Sequence, residues 1–309
     1  AEGIMKLLDV HPTAQRAFRD AAIKGTGIVK VTHSERRIKV ERVMIDEIIV
    51  DEGECISGQP PRQMHHRKIV DREVLSAKWP TFADEISRAQ ARGGPGIYGM
   101  WADYRPVEGN EAVVIESWIL PIGEPDTEGY QPGRHTVCVD GADLEDEEYE
   151  EPQFPFARLV WSERVTGWYG IGLIERGAGH QRCLNKLNWQ IDRQLDQHAV
   201  PTTFVRPVDA KLTVQSTNRA GSIVVVKGDM PQTVIPPAVS GETYRRREDI
   251  KSSFYEDAGI SRLQATAMKP AGLDSGAAMR EYKDATTQRF ALQEQAYERF
   301  VLDIVWLLL

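Results

Sequence analysis

The sequence predicts an α+β protein, and three observations carry that prediction. Segments rich in Val and Ile with partial two-residue alternation crowd the first half of the chain. One amphipathic helix of unusual length follows, from about Ile171 to Ala199. Short strand-forming pieces separated by glycine and proline then stand between that helix and a second one.

Taken in order, His11–Lys24 reads as a helix, and GIVKV, RIKVERV and IDEIIVDE between Thr26 and Glu52 read as strands. Asp71 is placed to N-cap a short helix running through Lys78, with Glu73 favourable in its first turn. Ala112–Leu120 and His135–Val139 are further strands, so residues 1–170 form an α+β region with an antiparallel sheet. The long helix carries Leu184, Leu187, Ile191 and Leu195 on one face. Gln181, Arg182, Asn185, Lys186, Gln190, Arg193, Gln194 and Gln197 lie on the other. At 1.5 Å per residue it is roughly 40 Å long, a strut of the kind that suggests an assembly. Residues 200–240 contain TFVRPV, SIVVVKG and TVIPP as short strands. Residues 241–258 form a second helix with Tyr244, Ile250, Phe254 and Tyr255 on one broad face. Residues 259–276 are irregular, because Pro270 and Gly272 block a helix. Asp274 or Ser275 then caps a last long helix through residue 309, with a stripe at Phe290, Tyr297, Phe300, Val301, Ile304 and Leu308.

The 309 residues are 41% hydrophobic and 27% charged, an ordinary globular balance. No window of eighteen apolar residues exists, so no transmembrane helix is expected. The first residues lack the pattern of a secretory signal. The chain does not begin with Met and ends in VLDIVWLLL, which reads as the middle of a longer polypeptide. The three cysteines, Cys55, Cys138 and Cys183, are far apart and expected to be reduced thiols. Net charge is −8, and the segment DGADLEDEEYEE from Asp140 to Glu151 accounts for all of it. Two readings of that run stand open: a solvated mobile loop, or a docking segment for a basic partner. With no dominant basic cluster, the chain does not read as a conventional DNA-binding protein.

Several chemistries have no local signature. Gly25-Thr26-Gly27 and Gly93-Gly94-Pro95-Gly96 lack the lysine and following helix of a phosphate loop. Neither HExxH nor GxSxG occurs, nor does GxGxxG at a helix start. Zinc-type spacings are missing too, and the adjacent His65 and His66 would point to opposite sides of a strand, so no metal or other cofactor is expected. His180 and His198 read as polar-face residues of the strut, and Cys183 as a small core or interface residue. The expectation is a protein that is not an enzyme.

The run GWYGIGLIERGAGHQRCLNKLN, from Gly167 to Asn188, resembles the portal (head-to-tail connector) proteins of tailed bacteriophages. Other pieces agree in the same order: VMIDEIIVD at Val43–Asp51, VDREVLSAKWP at Val70–Pro80, Pro155-Phe156 before Trp161, Ala258-Gly259-Ile260, and Ser275-Gly276-Ala277-Ala278. Each is short and degenerate, and the evidence is their order.

The resemblance implies a wing (1–170), a first stem helix (171–199), a clip (200–240), a second stem helix (241–258), a tunnel loop (259–276) and a long helix (277–309) leading toward a C-terminal crown. It further implies a homo-oligomeric ring, twelve-fold in this family, at one capsid vertex, through which double-stranded DNA is packaged and ejected. The implied partners are the terminase large subunit, a head-to-tail adaptor, and the major capsid or scaffolding protein. The implied location is the virion, with the host cytoplasm during assembly. On the tunnel loop, Arg262, Met268, Lys269 and Leu273 would meet the DNA or neighbouring loops. On the second stem helix, Arg245, Arg246, Arg247 and Lys251 alternate with acids including Glu248, and are expected to bridge subunits. Val224, Val225 and Val226 in the clip would serve docking and assembly. Two alternatives remain: another phage ring or scaffold component without DNA in its bore, and a hydrolase whose site is dispersed in sequence.

Overall fold

The computed structural model describes residues 2–34, 37–57, 59–89, 110–123, 127–199, 203–205, 223–225, 240–260 and 290–309. They fall into two compact units, Ala1–Glu175 with Phe290–Leu309, and Arg176–Arg289. The chain is mixed α+β, as expected.

In the first unit, α1 (Glu2–Leu7) and α2 (Val10–Lys24) precede β1 (Thr26–Ser34) and β2 (Arg37–Val43). A single 3-10 turn (Ile45–Glu47) then leads into β3 (Ile48–Val50), so IDEIIVDE is less strand than its composition suggests. Next come β4 (Gln63–Asp71), α3 (Arg72–Lys78), α4 (Ala83–Arg88), β5 (Glu111–Ile119), β6 (Gly133–Val139), β7 (Ala142–Tyr149) and β8 (Phe156–Val160). The Asp71 cap forms as the sequence requires, its carboxylate accepting from the Glu73 amide at 2.8 Å.

Two sheets result, in the orders β2-β1-β8 and β3-β4-β5-β6-β7, and every pairing within them is antiparallel. Strand β1 divides its side chains between two neighbours, as two-residue alternation dictates. Val29 and Val31 pack with α2 and with α7 (Ala291–Leu307), whose Phe300 and Ile304 are fully buried there. The last helix thus belongs to the first unit. On the other face of β1, Ile28 joins Val43, Ile48, Val50, Met64 and Trp168 in the core between the sheets.

One face of β5 presents Ala112, Val114, Glu116 and Trp118 in turn. Leu75, Ile86 and Ala89 of the α3–α4 region cover the first two. Lys30 and Phe156 of the smaller sheet cover the last two.

The GWYGIG turn is a backbone joint. Gly25 closes α2 at φ +94°, a conformation that favours glycine. A Cβ on Gly170 would lie 2.3 Å from the Gly25 oxygen, so the two segments touch backbone to backbone. The Gly170 amide donates to Thr26 Oγ1 at 2.8 Å, and Trp168 is buried beneath.

The acidic run is neither a mobile loop nor free of partners: Ala142–Tyr149 is β7, the edge of the larger sheet. Its ladder to β6 slips once, between Val137 and Cys138, and Leu144 turns into the core. The remaining acids stay in solvent, where like charge on an open edge discourages pairing with another chain.

The second unit holds most of α5 (Leu173–Ala199), then β9 (Thr203–Val205), β10 (Ile223–Val225) and α6 (Gly241–Asp257). β9 and β10 pair in parallel, Val224 opposite Phe204 and Val225 opposite Val205. The Phe254 ring of α6 sits on Gly177 of α5, where a Cβ would come within 2.4 Å of it. His180 stands 3.4 Å from the Asp257 carboxylate. The start of α5 therefore meets the end of α6.

Candidate functional site

Of the sequence-predicted stripe on α5, Ile191 is buried and Leu184 and Leu187 are half-buried, while Leu195 remains 51% exposed. Trp189 on the opposite side is 58% exposed with the Arg193 guanidinium over its ring. Cys183, expected in a core or interface, is exposed in the single chain because it lies off the Leu184–Leu187–Ile191 stripe.

The predicted inter-subunit residues of α6 divide into two groups. Glu248 accepts from Lys251 at 3.0 Å and has Arg247 Nε at 3.5 Å, so these three residues interact within one helix turn. The Lys251 hydrogen bond holds the Glu248 carboxyl below its ordinary range although the side chain is exposed. Arg247 also lies over the Tyr244 ring. Arg245 and Arg246 are exposed and have no ion-pair partner among the described residues, which leaves them available to a neighbour. Arg262, Met268, Lys269, Leu273 and Val226 lie outside the described residues.

The sequence reading missed a buried polar network between the two sheets. Lys30 is 4% exposed, pairs with the Glu116 carboxylate, and lies over the Trp118 ring at 4.6 Å. Glu116 Oε1 is 3.2 Å from His135 Nε2, and His135 Nδ1 is 2.7 Å from Glu147 Oε1. His135 stacks on Trp118 with ring centroids 5.2 Å apart. His66, also buried, has its Nδ1 3.9 Å from Glu116 and its Nε2 3.5 Å from Glu47.

The electrostatics follow from this geometry. Burial raises the Glu116 carboxyl, but the His135 hydrogen bond and the charge and hydrogen bond of Lys30 outweigh it and hold the group at about 2. Burial lowers Lys30 more than Glu116 and Glu41 raise it. His135 is raised, because hydrogen bonds to Glu116 and Glu147 overcome its desolvation. His65, on the other side of β4, is lowered by burial and faces Ser117 Oγ at 2.8 Å. No signal local in sequence marks this network, since Lys30 and Glu116 are 86 residues apart.

An open cleft lies between Glu52, Gly53 and Ile56 on one side and Arg164, Thr166, Gly167 and Tyr169 on the other. Arg164 is bound there by Glu175 at 2.6 and 2.7 Å, and the Tyr169 hydroxyl donates to the Ile48 carbonyl. The lining sets no nucleophile against a base. No helix among the described residues is long and apolar enough to cross a membrane.

Comparison with protein-family models and with curated proteins finds no match to this chain.

Proposed function

We propose that the chain is a subunit of a tailed-phage portal, a ring that conducts double-stranded DNA through one capsid vertex. The observation that carries the reading is the build of the second unit. A helix of 27 residues and one of 17 bracket a pair of three-residue strands, and the end of the second helix meets the start of the first. This is the order of stem, clip and stem that the sequence motifs imply. Among the described residues of α5 and α6 the buried side chains are Ile191 and Ile250, and such a helix pair gains stability from neighbours rather than from its own core.

Exposed apolar side chains support the same reading. Trp189 on α5 and Trp306 on α7, 69% exposed, are large surfaces that copies of the chain would cover in a ring. The charge pattern suits a conduit. Each phosphate held by Lys or Arg strengthens binding by counterion release, so a strongly basic bore would grip DNA. Outside the Asp140–Glu151 run the chain has no net charge, and sparse cations repeated around a ring steady a duplex without reading its sequence. Energy for translocation would come from the terminase motor docked at the clip, and the adaptor would occupy the same end afterwards.

Deletion of residues 262–274 separates this reading from a ring that holds no DNA. Assembled particles with the intact chain retain packaged duplex, whereas rings with the deletion lose it. Equal retention by both would reject the DNA conduit and leave a scaffold ring.

A further inference from the structure

We propose that His135, Glu145 and Glu147 form a binding site for a divalent transition-metal ion, with Zn2+ the best fit to the donor set. The proposal is independent of the portal reading. It starts from register: β6 and β7 place His135 opposite Glu147 and Val137 opposite Glu145. The three side chains therefore rise from neighbouring rows on one face of the sheet. One ligand atom from each lies within 4.8 Å of the other two.

A group outside the cluster orients the imidazole. Metal-bound histidines regularly give their second ring N–H to a carboxylate, which fixes the tautomer and aims the free nitrogen. His135 has that arrangement: Nε2 is 3.2 Å from Glu116 Oε1, and Glu116 is itself held by the buried Lys30. With Nε2 so engaged, Nδ1 is the metal-facing nitrogen: in the metal-free chain it donates to Glu147 Oε1 at 2.7 Å, and the ion would take the place of that proton.

The charge balance also favours a cation. Arg134, the next basic residue on β6, points to the opposite face and is bound there by Asp146 at 2.7 Å through both nitrogens. Glu145 makes no hydrogen bond or ion pair with any described residue, and His135 is the partner of Glu147. Two carboxylates thus converge on one imidazole. Imidazole with carboxylate suits ions of the zinc type, whereas Mg2+ and Ca2+ favour all-oxygen shells. Three protein donors leave a fourth position for water or for a donor from another molecule. The ion would tie the edge strand β7 to β6 and relieve repulsion along the most acidic segment of the chain.

The test is titration of the full chain, stripped with a chelator, with Co2+ followed by Zn2+. The expected result is tetrahedral Co2+ absorption saturating at one ion per chain, displaced by Zn2+, and a rise in thermal midpoint with Zn2+. Joint substitution Glu145→Gln with Glu147→Gln abolishes the absorption. Glu116→Gln, which touches no metal, weakens affinity about 10- to 100-fold. His65→Ala, on the other side of β4, leaves it unchanged. Absence of Co2+ and Zn2+ binding by the wild-type chain overturns the proposal whatever the variants do. So does stoichiometric binding that survives in the double variant with its far-ultraviolet spectrum intact.

Discussion

Lys30→Met keeps the length of the side chain and removes its charge, leaving Glu116 under the smaller sheet with His135 and His66 as its remaining partners. The magnitude follows from the carboxyl itself. Its displacement from an ordinary 4.5 to about 2 corresponds to about 3 kcal/mol of folding free energy at neutral pH, shared between Lys30 and His135. Removing one member of a buried pair typically costs about 3–5 kcal/mol. Here the loss is reduced, because Lys30 also gives up its own desolvation. The expected destabilisation is about 2–3 kcal/mol at pH 7.

The sign with pH is fixed. A depressed carboxyl contributes its full stability above the unfolded value near 4.5, and loses it as pH falls toward the folded value of about 2. Urea unfolding, followed by tryptophan fluorescence and with chelator present, measures both variants at pH 7 and pH 3. The gap should be clear at pH 7 and smaller at pH 3. Equal stability at pH 7, or a gap that widens on acidification, would refute the network as described.

Other expectations can be checked in the same way. Phe300→Ala empties a fully buried site between α7, α2 and β1 and should cost about 3–5 kcal/mol in the urea assay; a cost under about 1 kcal/mol would mean that α7 does not dock there. Gly177→Ala places a Cβ 2.4 Å from the Phe254 ring and should lower the thermal midpoint, at about 1–3 kcal/mol. A raised midpoint, which the better helix propensity of alanine alone would give, would show that the ring is not seated on Gly177. Arg245→Glu with Arg246→Glu should shift assemblies toward monomers in sedimentation. Glu248→Gln, whose carboxylate is engaged within its own helix, should shift them far less, and equal effects would contradict the assignment.

Much of the fold was legible where a local rule has one solution. Asp71, two residues ahead of Glu73, can act as a cap and does. Val29 and Val31 alternate with Ile28 and Lys30, and the period alone assigns their faces. The acidic strand was illegible because seven of its eight residues are exposed or half-exposed and five of them are carboxylates. Its extended state is imposed by hydrogen bonding to β6 rather than by its own propensity. The Lys30–Glu116–His135 chain and the Glu145–Glu147 pair were hidden for a different reason. Their meeting depends on cross-strand register and on a slip at Val137, and neither leaves a periodic mark in the sequence. The strut is visible from its stripe, but it begins at Leu173 rather than at Ile171, since Ile171 and Gly172 belong to the glycine joint that packs on Ile23 and Gly25.

Native mass spectrometry of the purified chain, with negative-stain imaging of the same sample, decides whether the chain assembles as a portal ring. The expected result is a closed ring of about a dozen subunits with an axial hole, as the portal resemblance implies. A monomer or dimer that persists at high protein concentration would contradict it.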